Sequence, residues 1–363
     1  MKITVEERVL HFKQPAGTSR GVYTERHIWL VTVSDGATVG IGECAPLPDL
    51  SCDALSPFLY NNVLRGFCDE VEQTGIIPYD DLRPYPSMLF GIETAMLSML
   101  NAQCLMHNNR QSDDQDYALS INHYALFDTP FTRGKEGIPI NGLVWMGSYE
   151  EMAQRIEEKL RQGFRCIKLK IGAIDFDQEI ELLHRIRERF GPREIELRVD
   201  ANGAFRFDDG DALYKLELLS QYALHSIEQP IKAGQWANMA ELCRESPLPI
   251  ALDEELIGIN DPEQKRQMLN IIRPAYIVLK PSLHGGMVGC REWIEIANDM
   301  EIGSWITSAL ESNVGLNAIA QFCSSVYGNE ITTPQGLGTG QLFTDNIPMP
   351  LEIRGDKLWR ACP

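Results

Sequence analysis

The chain has 363 residues, 44% of them hydrophobic, so it is long enough to bury one large core and a smaller one beside it. Its formal net charge of −18 argues against nucleic acid or an anionic membrane surface as a partner, because polyanions would repel it. Nine cysteines without CxxC pairs favour reduced thiols over a disulfide framework or zinc site. With no signal-peptide core and no membrane-length apolar run, we expect a soluble, cytoplasmic protein that acts on a small molecule. The sequence carries no signal for its oligomeric state.

The first third of the chain has the pattern of a separate α+β unit. Its strand and helix patterns cover, in order, residues 4–12, 27–33, 38–46, 57–72 and 87–100. The polar stretch Lys13–Gly21 between the first two strands is predicted to be a flexible loop. Residues 105–135 are polar and irregular, so we predict a surface excursion there and end the N-terminal unit at residue 135.

From residue 138 onward, strand patterns alternate with helical ones, which is typical of parallel strands joined by crossover helices. The predicted strands cover 138–144, 166–171, 196–202, 224–230, 249–254, 276–281 and 304–311, with a less regular segment near 331–337. Eight such units close most naturally into a (β/α)8 (TIM-type) barrel, which we place over residues 136–341. No GxGxxG follows the first strand and no P-loop is present, so a dinucleotide-binding fold is disfavoured.

The segment 167–172 alternates apolar residues with Lys168 and Lys170, so on a strand both ammonium groups point to one side. Taken alone, it would be explained by an edge strand with a solvated lysine face. A charged residue, however, ends each of five consecutive predicted strands, at intervals of 30, 28, 25 and 27 residues. These residues are Lys170, Asp200, Glu228, Asp253 and Lys280. Because active sites in such barrels lie at the carboxyl ends of the strands, we expect all five at one mouth.

The three acids of this set lie on neighbouring strands, and carboxylates crowded at one point repel one another unless a cation neutralises them. Hard oxygen ligands without histidine or cysteine favour Mg²⁺, with Mn²⁺ as an alternative. The structural alternative is a set of salt bridges to the neighbouring lysines. Arg198 and Asn202 share the inward face of their strand with Asp200.

Strands two and six of an eight-stranded ring lie opposite each other, so Lys170 and Lys280 are expected to face one another across the acids. A base lysine must be neutral when it acts, and the positive charges of Lys168 and the metal would favour loss of a proton from Lys170. With a substrate carboxylate on the metal, one lysine could remove the adjacent proton as the cation stabilises the enediolate. The pattern therefore predicts proton abstraction α to a carboxylate.

Five motifs at these strand ends resemble those of the enolase superfamily, muconate lactonizing enzyme subgroup. They are Lys168-Leu-Lys170, Asp200-Ala-Asn202, Ile227-Glu-Gln-Pro230, Leu252-Asp-Glu254 and Leu279-Lys-Pro281. The resemblance covers nearly the whole chain. It implies a modified barrel and an N-terminal α+β capping domain, residues 1–135, completed by the C-terminal tail 342–363. It also implies Mg²⁺ ligands and acid/base lysines, with Lys168 assisting: Asp200, Glu228 and Asp253 for the metal, Lys170 and Lys280 for the proton.

Within the subgroup, the segment 336–342 and the strand Arg198-Val-Asp200 are most similar to the o-succinylbenzoate synthase family of menaquinone synthesis. That similarity implies Mg²⁺-dependent dehydration of 2-succinyl-6-hydroxy-2,4-cyclohexadiene-1-carboxylate to o-succinylbenzoate. A dipeptide epimerase or N-acylamino acid racemase is the main alternative, but residues 335–344 lack the acidic pair of similar dipeptide epimerases. The motifs also permit muconate cycloisomerisation. A non-catalytic binding or scaffold barrel would need a broken catalytic position, and the sequence has none.

The residues that select the substrate are harder to read. Positions near the barrel end and in the cap are candidates, and each barrel-end position is equally well explained as structural. The candidates are Asn202, Arg198, Ser308, Glu311 and Arg20. We expect the cap loop around Thr18 and Arg20 to close over the site and Arg20 to bind the succinyl carboxylate.

Two histidines, His225 and His284, lie near strand ends. Since both lysine positions are intact, we expect neither histidine to be the base. Trp305 is predicted to be part of the core.

Overall fold

The structure is a computed structural model that describes residues 1–18, 21–109, 125–328 and 331–361. An antiparallel three-stranded sheet forms the N-terminal part, and a seven-stranded parallel sheet forms the wall of a barrel. A second antiparallel three-stranded sheet contains the C-terminal hairpin. The predicted fold class, a modified barrel with an N-terminal α+β cap, is confirmed.

The cap consists of one meander with helices packed against it. Glycines occupy alternate positions on its third strand because a Cβ at Gly40 or Gly42 would overlap the backbone of the long cap helix. Close packing of sheet and helix therefore depends on these two residues. The cap elements are β1 (Lys2–Thr18), β2 (Gly21–Ser34), β3 (Val39–Cys44), α1 (Pro57–Thr74), α2 (Tyr79–Leu82) and α3 (Pro86–Asn109).

Over residues 13–18 and at Gly21, the prediction of a flexible loop was wrong. β1 continues to Thr18 and β2 begins at Gly21, with Ala16 opposite Tyr23. The register shifts between His11 and Ala16, an interval that includes Pro15, which has no backbone N–H to donate to a regular ladder. The loop-like composition thus marks an irregularity within a long hairpin. Arg20 lies outside the described residues.

The barrel strands lie in the spatial order β11-β10-β9-β8-β7-β6-β5, each parallel to its neighbour. These strands are β5 (Gly142–Val144), β6 (Cys166–Lys170), β7 (Glu196–Asp200), β8 (Ser226–Glu228), β9 (Ile250–Leu252), β10 (Tyr276–Leu279) and β11 (Gly303–Ile306). The helices after them are α4 (Tyr149–Arg161), α5 (Phe176–Arg187), α6 (Asp211–Ser220), α7 (Trp236–Glu245), α8 (Pro262–Ile272), α9 (Gly286–Asp299) and α10 (Asn313–Tyr327).

The less regular segment predicted near 331–337 closes the ring without forming a strand. Gln335 pairs with Ile140 beside β5, and Gly336 pairs with Thr307 beside β11. The side-chain Oε1 of buried Gln335 accepts the N–H of Ile306 at 2.7 Å. Two residues therefore join the two edges of the seven-stranded sheet.

The C-terminal tail divides between the two parts of the molecule. Phe343 packs on Phe12 of the cap, with ring centroids 4.5 Å apart. Beyond it, the hairpin of β12 (Leu351–Arg354) and β13 (Lys357–Arg360) pairs with β4 (Ile138–Pro139), the first part of the strand predicted over 138–144. The domain boundaries at residues 135 and 341 stay predictions.

The barrel core lies between the sheet and its helices. Leu169, Leu197 and Val199 are buried in it, on the strand face opposite the charged residues. Burying a side chain of this size stabilises the fold by about 1.5–3 kcal/mol. No helix in the described ranges is long and apolar enough to cross a membrane.

Candidate active site

The five charged residues at the predicted strand ends lie side by side around one mouth of the barrel. Lys170, Asp200 and Glu228 end β6, β7 and β8, and the strand register places Lys170 opposite Asp200 and Asp200 opposite Glu228. Asp253 directly follows β9, and Lys280 directly follows β10. In the strand order, the three acids therefore stand between the two lysines.

Lys168 bridges two of the acids. Its Nζ lies 2.9 Å from Asp200 Oδ2 and donates to Glu228 Oε2 at 2.5 Å. Burial alone would lower the pKa of Lys168, but the charges of the surrounding carboxylates outweigh it and raise the pKa. Lys168 is therefore an ammonium ion at neutral pH.

Lys170 is held by two hydrogen bonds from its Nζ, to Asp200 Oδ2 at 3.1 Å and to Asn202 Oδ1 at 2.8 Å. The same Nζ lies 6.0 Å from the centroid of the Trp145 ring. Asn202 has a φ of 45°, and its Nδ2 donates to Glu254 Oε1 at 3.0 Å. The Asn202 amide thus binds Lys170 through its oxygen and Glu254 through its nitrogen.

Lys280 forms an ion pair with Asp253 on the opposite side of the mouth. Although burial lowers the pKa of Lys280, Asp253, Glu254 and Glu228 raise it above the ordinary value. The backbone N–H of Lys280 donates to His284 Nδ1 at 2.8 Å. Burial and the charge of Lys280 lower the pKa of His284, so the ring is neutral and can accept this bond.

The three acids differ in their protonation energetics. Burial and then the charge of Asp200 raise the pKa of Glu228 to about 8, and burial likewise raises the pKa of Asp253. Burial also acts on Asp200, but Lys168 and Lys170 outweigh it and lower the pKa of that carboxyl. The positive charges of the lysines therefore do not fully offset the negative charges of the buried carboxylates.

Among the predicted metal ligands, the buried oxygens Glu228 Oε1 and Asp253 Oδ1 have no hydrogen-bond partner, and Oε2 of the neighbouring Glu254 has none either. Such oxygens fit a hard divalent cation, which would supply the missing interaction. Within the described part of the chain, no three acidic, histidine or cysteine side chains already surround one point in ligand geometry. Lys168 and Lys280 each hold one oxygen of these two carboxylates, which leaves the other oxygens as the available donors.

A cavity opens above these groups between the barrel and the cap. Asn202 and Ser308, two of the residues predicted to bind substrate, line it, and Ser308 Oγ lies 2.6 Å from Thr339 Oγ1. Their role in binding stays a prediction. Glu311 is fully buried instead, where it accepts hydrogen bonds from Ala309 N–H and Ser282 Oγ.

Arg198 also lies away from the cavity lining, and only 2% of its surface is exposed. Its guanidinium lies 4.4 Å from the centroid of the Trp305 ring, and its Nε donates to Glu196 Oε1 at 2.7 Å. Since Arg198 precedes Asp200 by two residues on the same inward face, it occupies the next layer down in the barrel. Arg198 therefore does not reach the cavity in which a substrate would bind.

His225 and Trp305 belong to the same lower layer as Arg198. His225 stacks on Tyr276 with ring centroids 4.8 Å apart and lies 6.0 Å from Trp305. Trp305 is buried, as predicted, and one edge of it reaches the cavity. Neither His225 nor His284 lines the cavity.

Several residues that line the cavity were not predicted from the sequence. Tyr23, Leu47 and Leu50 come from the cap, and Trp145 follows β5. Glu254 also lines the cavity, and its position directly after Asp253 was the one available signal. Apolar cap residues give no signal in a single sequence because they resemble ordinary core residues.

A capped barrel with two lysines flanking three carboxylates at its mouth is the arrangement of the enolase superfamily. Residues 151–357 match the family described as Enolase C-terminal domain-like. The chain belongs to the enolase superfamily, in the subgroup of muconate lactonizing enzymes, as the strand-end motifs predicted.

Relatives place the chain more closely within that superfamily. An o-succinylbenzoate synthase from Desulfotalea psychrophila is 44% identical, covering 99% of this chain and 98% of that protein. The crystal structure of MenC from Desulfotalea psychrophila LSv54 has a TM-score of 0.75 at 40% identity and covers 99% of both chains. The L-Ala-D/L-Glu epimerase from Bacillus subtilis, solved with substrate, has a TM-score of 0.77 at 18% identity, covering 99% of this chain and 96% of that one. At that identity the epimerase shares the fold alone.

Proposed function

We propose that this protein catalyses the Mg²⁺-dependent dehydration of 2-succinyl-6-hydroxy-2,4-cyclohexadiene-1-carboxylate to o-succinylbenzoate, a lyase reaction of menaquinone synthesis. The observation that carries the reaction type is the placement of Lys170 and Lys280, which both line one cavity, on either side of three buried carboxylates. The substrate follows from the 44% identity, over 99% of the chain, to an o-succinylbenzoate synthase.

Asp200, Glu228 and Asp253 are the residues that would hold Mg²⁺, or Mn²⁺ in its place. When bound, the cation neutralises the carboxylates and stabilises negative charge that develops on the substrate carboxylate. The unpaired oxygens of Glu228 and Asp253 support this assignment.

Lys170 is the proposed base. In its neutral form it takes the proton α to the substrate carboxylate, and the electron pair of the broken C–H bond forms the new ring double bond as the C–O bond breaks. The resulting ammonium gives its proton to the departing hydroxyl, so water leaves and the ring becomes aromatic. Hydrogen bonds to Asp200 and Asn202 keep Nζ at one position during both transfers.

Lys280 remains an ammonium ion throughout. Its ion pair with Asp253 and its raised pKa keep the proton on Nζ, and the fixed positive charge stabilises the negative charge that develops on the substrate, from the side opposite Lys170. Lys168 stays charged between Asp200 and Glu228 and orients both acids.

The far side of the cavity favours dehydration over dipeptide epimerisation. Described lining residues from the last barrel segments include Thr307, Ser308, Gly336, Gly338 and Thr339, none of which is acidic. A dipeptide carries an ammonium group, which would need a carboxylate there. The succinyl arm needs hydroxyl and backbone donors instead.

Free thiols at eight described cysteines support the proposed cytoplasmic location.

The test is the loss of cyclohexadiene absorbance when the purified protein meets the succinyl substrate, with Mg²⁺ and with EDTA. Rapid loss that requires Mg²⁺ is the expected result. L-Ala-L-Glu and N-succinyl amino acids are assayed in parallel in deuterated water. Deuterium in their α position without any dehydration would replace the proposed function with an epimerase or racemase.

A further inference from the structure

Arg26 on β2 is a buried cation whose hydrogen bonds go to main-chain carbonyls. Only 2% of its surface is exposed. Its guanidinium donates to Ala45 O at 2.6 Å and to Pro46 O, both in the cap. It also donates to Ala309 O and Leu310 O, each at 3.2 Å, in the barrel. One side chain thus connects two segments that are far apart in the sequence.

Both segments border the candidate active site. Ala309 and Leu310 line the cavity, and Ala45 and Pro46 lead directly into Leu47, which lines it from the cap. Leu310 has a φ of 63°, a left-handed conformation that is unfavourable for a leucine and persists only where its surroundings enforce it. The hydrogen bond from Arg26 Nε to Leu310 O is one of the contacts that enforce it.

Buried acids complete this connection between cap and barrel. Glu43 on β3 accepts the N–H groups of Ser312 and Gly315, each at 2.8 Å, at the start of α10. Glu311 accepts the Ala309 N–H at 2.6 Å. The negative charges of Glu311 and Glu43 also offset the desolvation of the Arg26 guanidinium.

Arginine is required here for its shape as well as its charge. The planar guanidinium carries five N–H donors in a fixed arrangement and can reach four carbonyls at once, whereas a lysine ammonium has three donors at one point. The carbonyls of Ala45 and Pro46 therefore keep a fixed separation from those of Ala309 and Leu310.

We propose that Arg26 is a positioning residue that sets the spacing between cap segment 45–50 and barrel residues 309–310, and thereby the affinity for the part of the substrate farthest from the reacting carbon. This inference rests on the proposed dehydration. The four carbonyls that Arg26 holds lie outside the set of charged groups at the strand ends. A change in the spacing should therefore alter ground-state and transition-state binding equally, which changes KM and leaves kcat in place.

The test compares Arg26→Met and Arg26→Lys with the wild type. We expect Arg26→Met to raise KM at least about tenfold with kcat within about threefold. Arg26→Lys, which keeps the charge and most of the stem, should recover part of the lost affinity. Without substrate, hydrogen–deuterium exchange should become faster in residues 45–50 and 309–312 of Arg26→Met.

The matched control is Arg360→Met, which removes another buried arginine that donates to a backbone carbonyl, that of Thr132. It should leave KM and exchange near the cavity unchanged. The proposal is overturned if Arg26→Met keeps the wild-type KM, or if Arg26→Met and Arg360→Met change kcat and KM alike. The exchange measurement needs no turnover, so unchanged exchange at 45–50 refutes the positioning role even if the wild type dehydrates nothing.

Discussion

The barrel mouth and the cap that faces it are built from opposite kinds of residue. At the mouth, three buried carboxylates on consecutive strands lie between two lysines, and ion pairs hold these groups together. The cap contributes Tyr23, Leu47 and Leu50 to the same cavity. From this difference we expect the mouth to determine the reaction type and the cap to influence which carboxylate substrate is accepted.

The two regions also differ in how they are held in place. Residues at the mouth end parallel strands, so the sheet ladder fixes their positions. The cap segment 45–50 follows a strand and depends on side chains such as Arg26. Changes at the mouth should therefore affect catalysis, and changes in the cap should affect binding and stability.

The largest effect is expected at the mouth. Lys170→Ala should lower kcat of dehydration by about 10³-fold or more, because general acid–base catalysis contributes 10² to 10⁴ and this one residue serves as both base and acid. Steady-state kinetics with the succinyl substrate measures the change. Lys357→Ala, an exposed lysine on β13, is the control and should have wild-type activity. Activity of Lys170→Ala within tenfold of the wild type would rule out the assigned base.

The second prediction concerns the metal. Glu228→Gln should weaken Mg²⁺ binding by about 100-fold. Loss of even a residue that only hydrogen-bonds a metal ligand lowers metal affinity about 10- to 100-fold. Isothermal titration of Mg²⁺ measures this without turnover. Glu217→Gln, an exposed acid on α6, serves as the comparison and should bind Mg²⁺ like the wild type. Equal affinity in all three proteins would remove Glu228 from the ligand set.

A smaller effect is expected where cap and barrel meet. Glu93 on α3 accepts the N–H groups of Met287 and Val288 at the start of α9, and burial raises its pKa to about 8. Between the ordinary glutamate pKa and pH 8, the folded protein binds a proton that the unfolded chain has lost. The free energy of unfolding should therefore fall as pH rises through this window, by about 1.4 kcal/mol per pH unit.

Urea denaturation from pH 5 to pH 8.5 tests this prediction. Glu93→Gln cannot titrate at this position and should lose that part of the pH dependence. Glu70→Gln, exposed on α1, should retain the wild-type slope. Parallel pH profiles for the wild type and Glu93→Gln would show that Glu93 is ionised in the fold throughout.

The smallest effect is expected within the cap. The Tyr23 hydroxyl donates to Pro48 O at 2.9 Å, beside the leucines that line the cavity. Tyr23→Phe removes a hydrogen bond worth about 1 kcal/mol, so KM should rise about three- to fivefold with kcat unchanged. Tyr214→Phe, on the exposed face of α6, should change neither constant. A fall in kcat for Tyr23→Phe would mean that the cap takes part in the reaction itself.

The charged residues of the mouth could be predicted from the sequence because each of them follows an apolar strand pattern at a regular interval. Each barrel strand is a short apolar run, and the charged residue after it must lie at the carboxyl end, so Lys170, Asp200 and Glu228 were identifiable without coordinates. Period-two alternation also gave the correct side of the strand for Arg198. It could not give the depth, because residues two apart share a face but occupy different layers of the barrel.

Other features had no readable signal. The partners of Arg26 are main-chain carbonyls. Every residue has one, so the sequence does not indicate which of them bind Arg26. The stretch Lys13–Gly21 has the composition of a loop, yet long-range pairing across the hairpin extends the strands. The closing segment near Gln335 makes only one bridge to each side, which is too short to form a strand pattern.

That closing segment has a consequence for the order in which the chain can fold. During synthesis, β5 and β11 are both complete before Gln335 and Gly336 leave the ribosome, and the sheet then has two edges with unsatisfied N–H and C=O groups. Open parallel edges are the places where incomplete chains pair with one another. Gln335 and Gly336 thus convert an open sheet into a closed ring, and a nascent chain stalled just before them would expose both edges of the sheet.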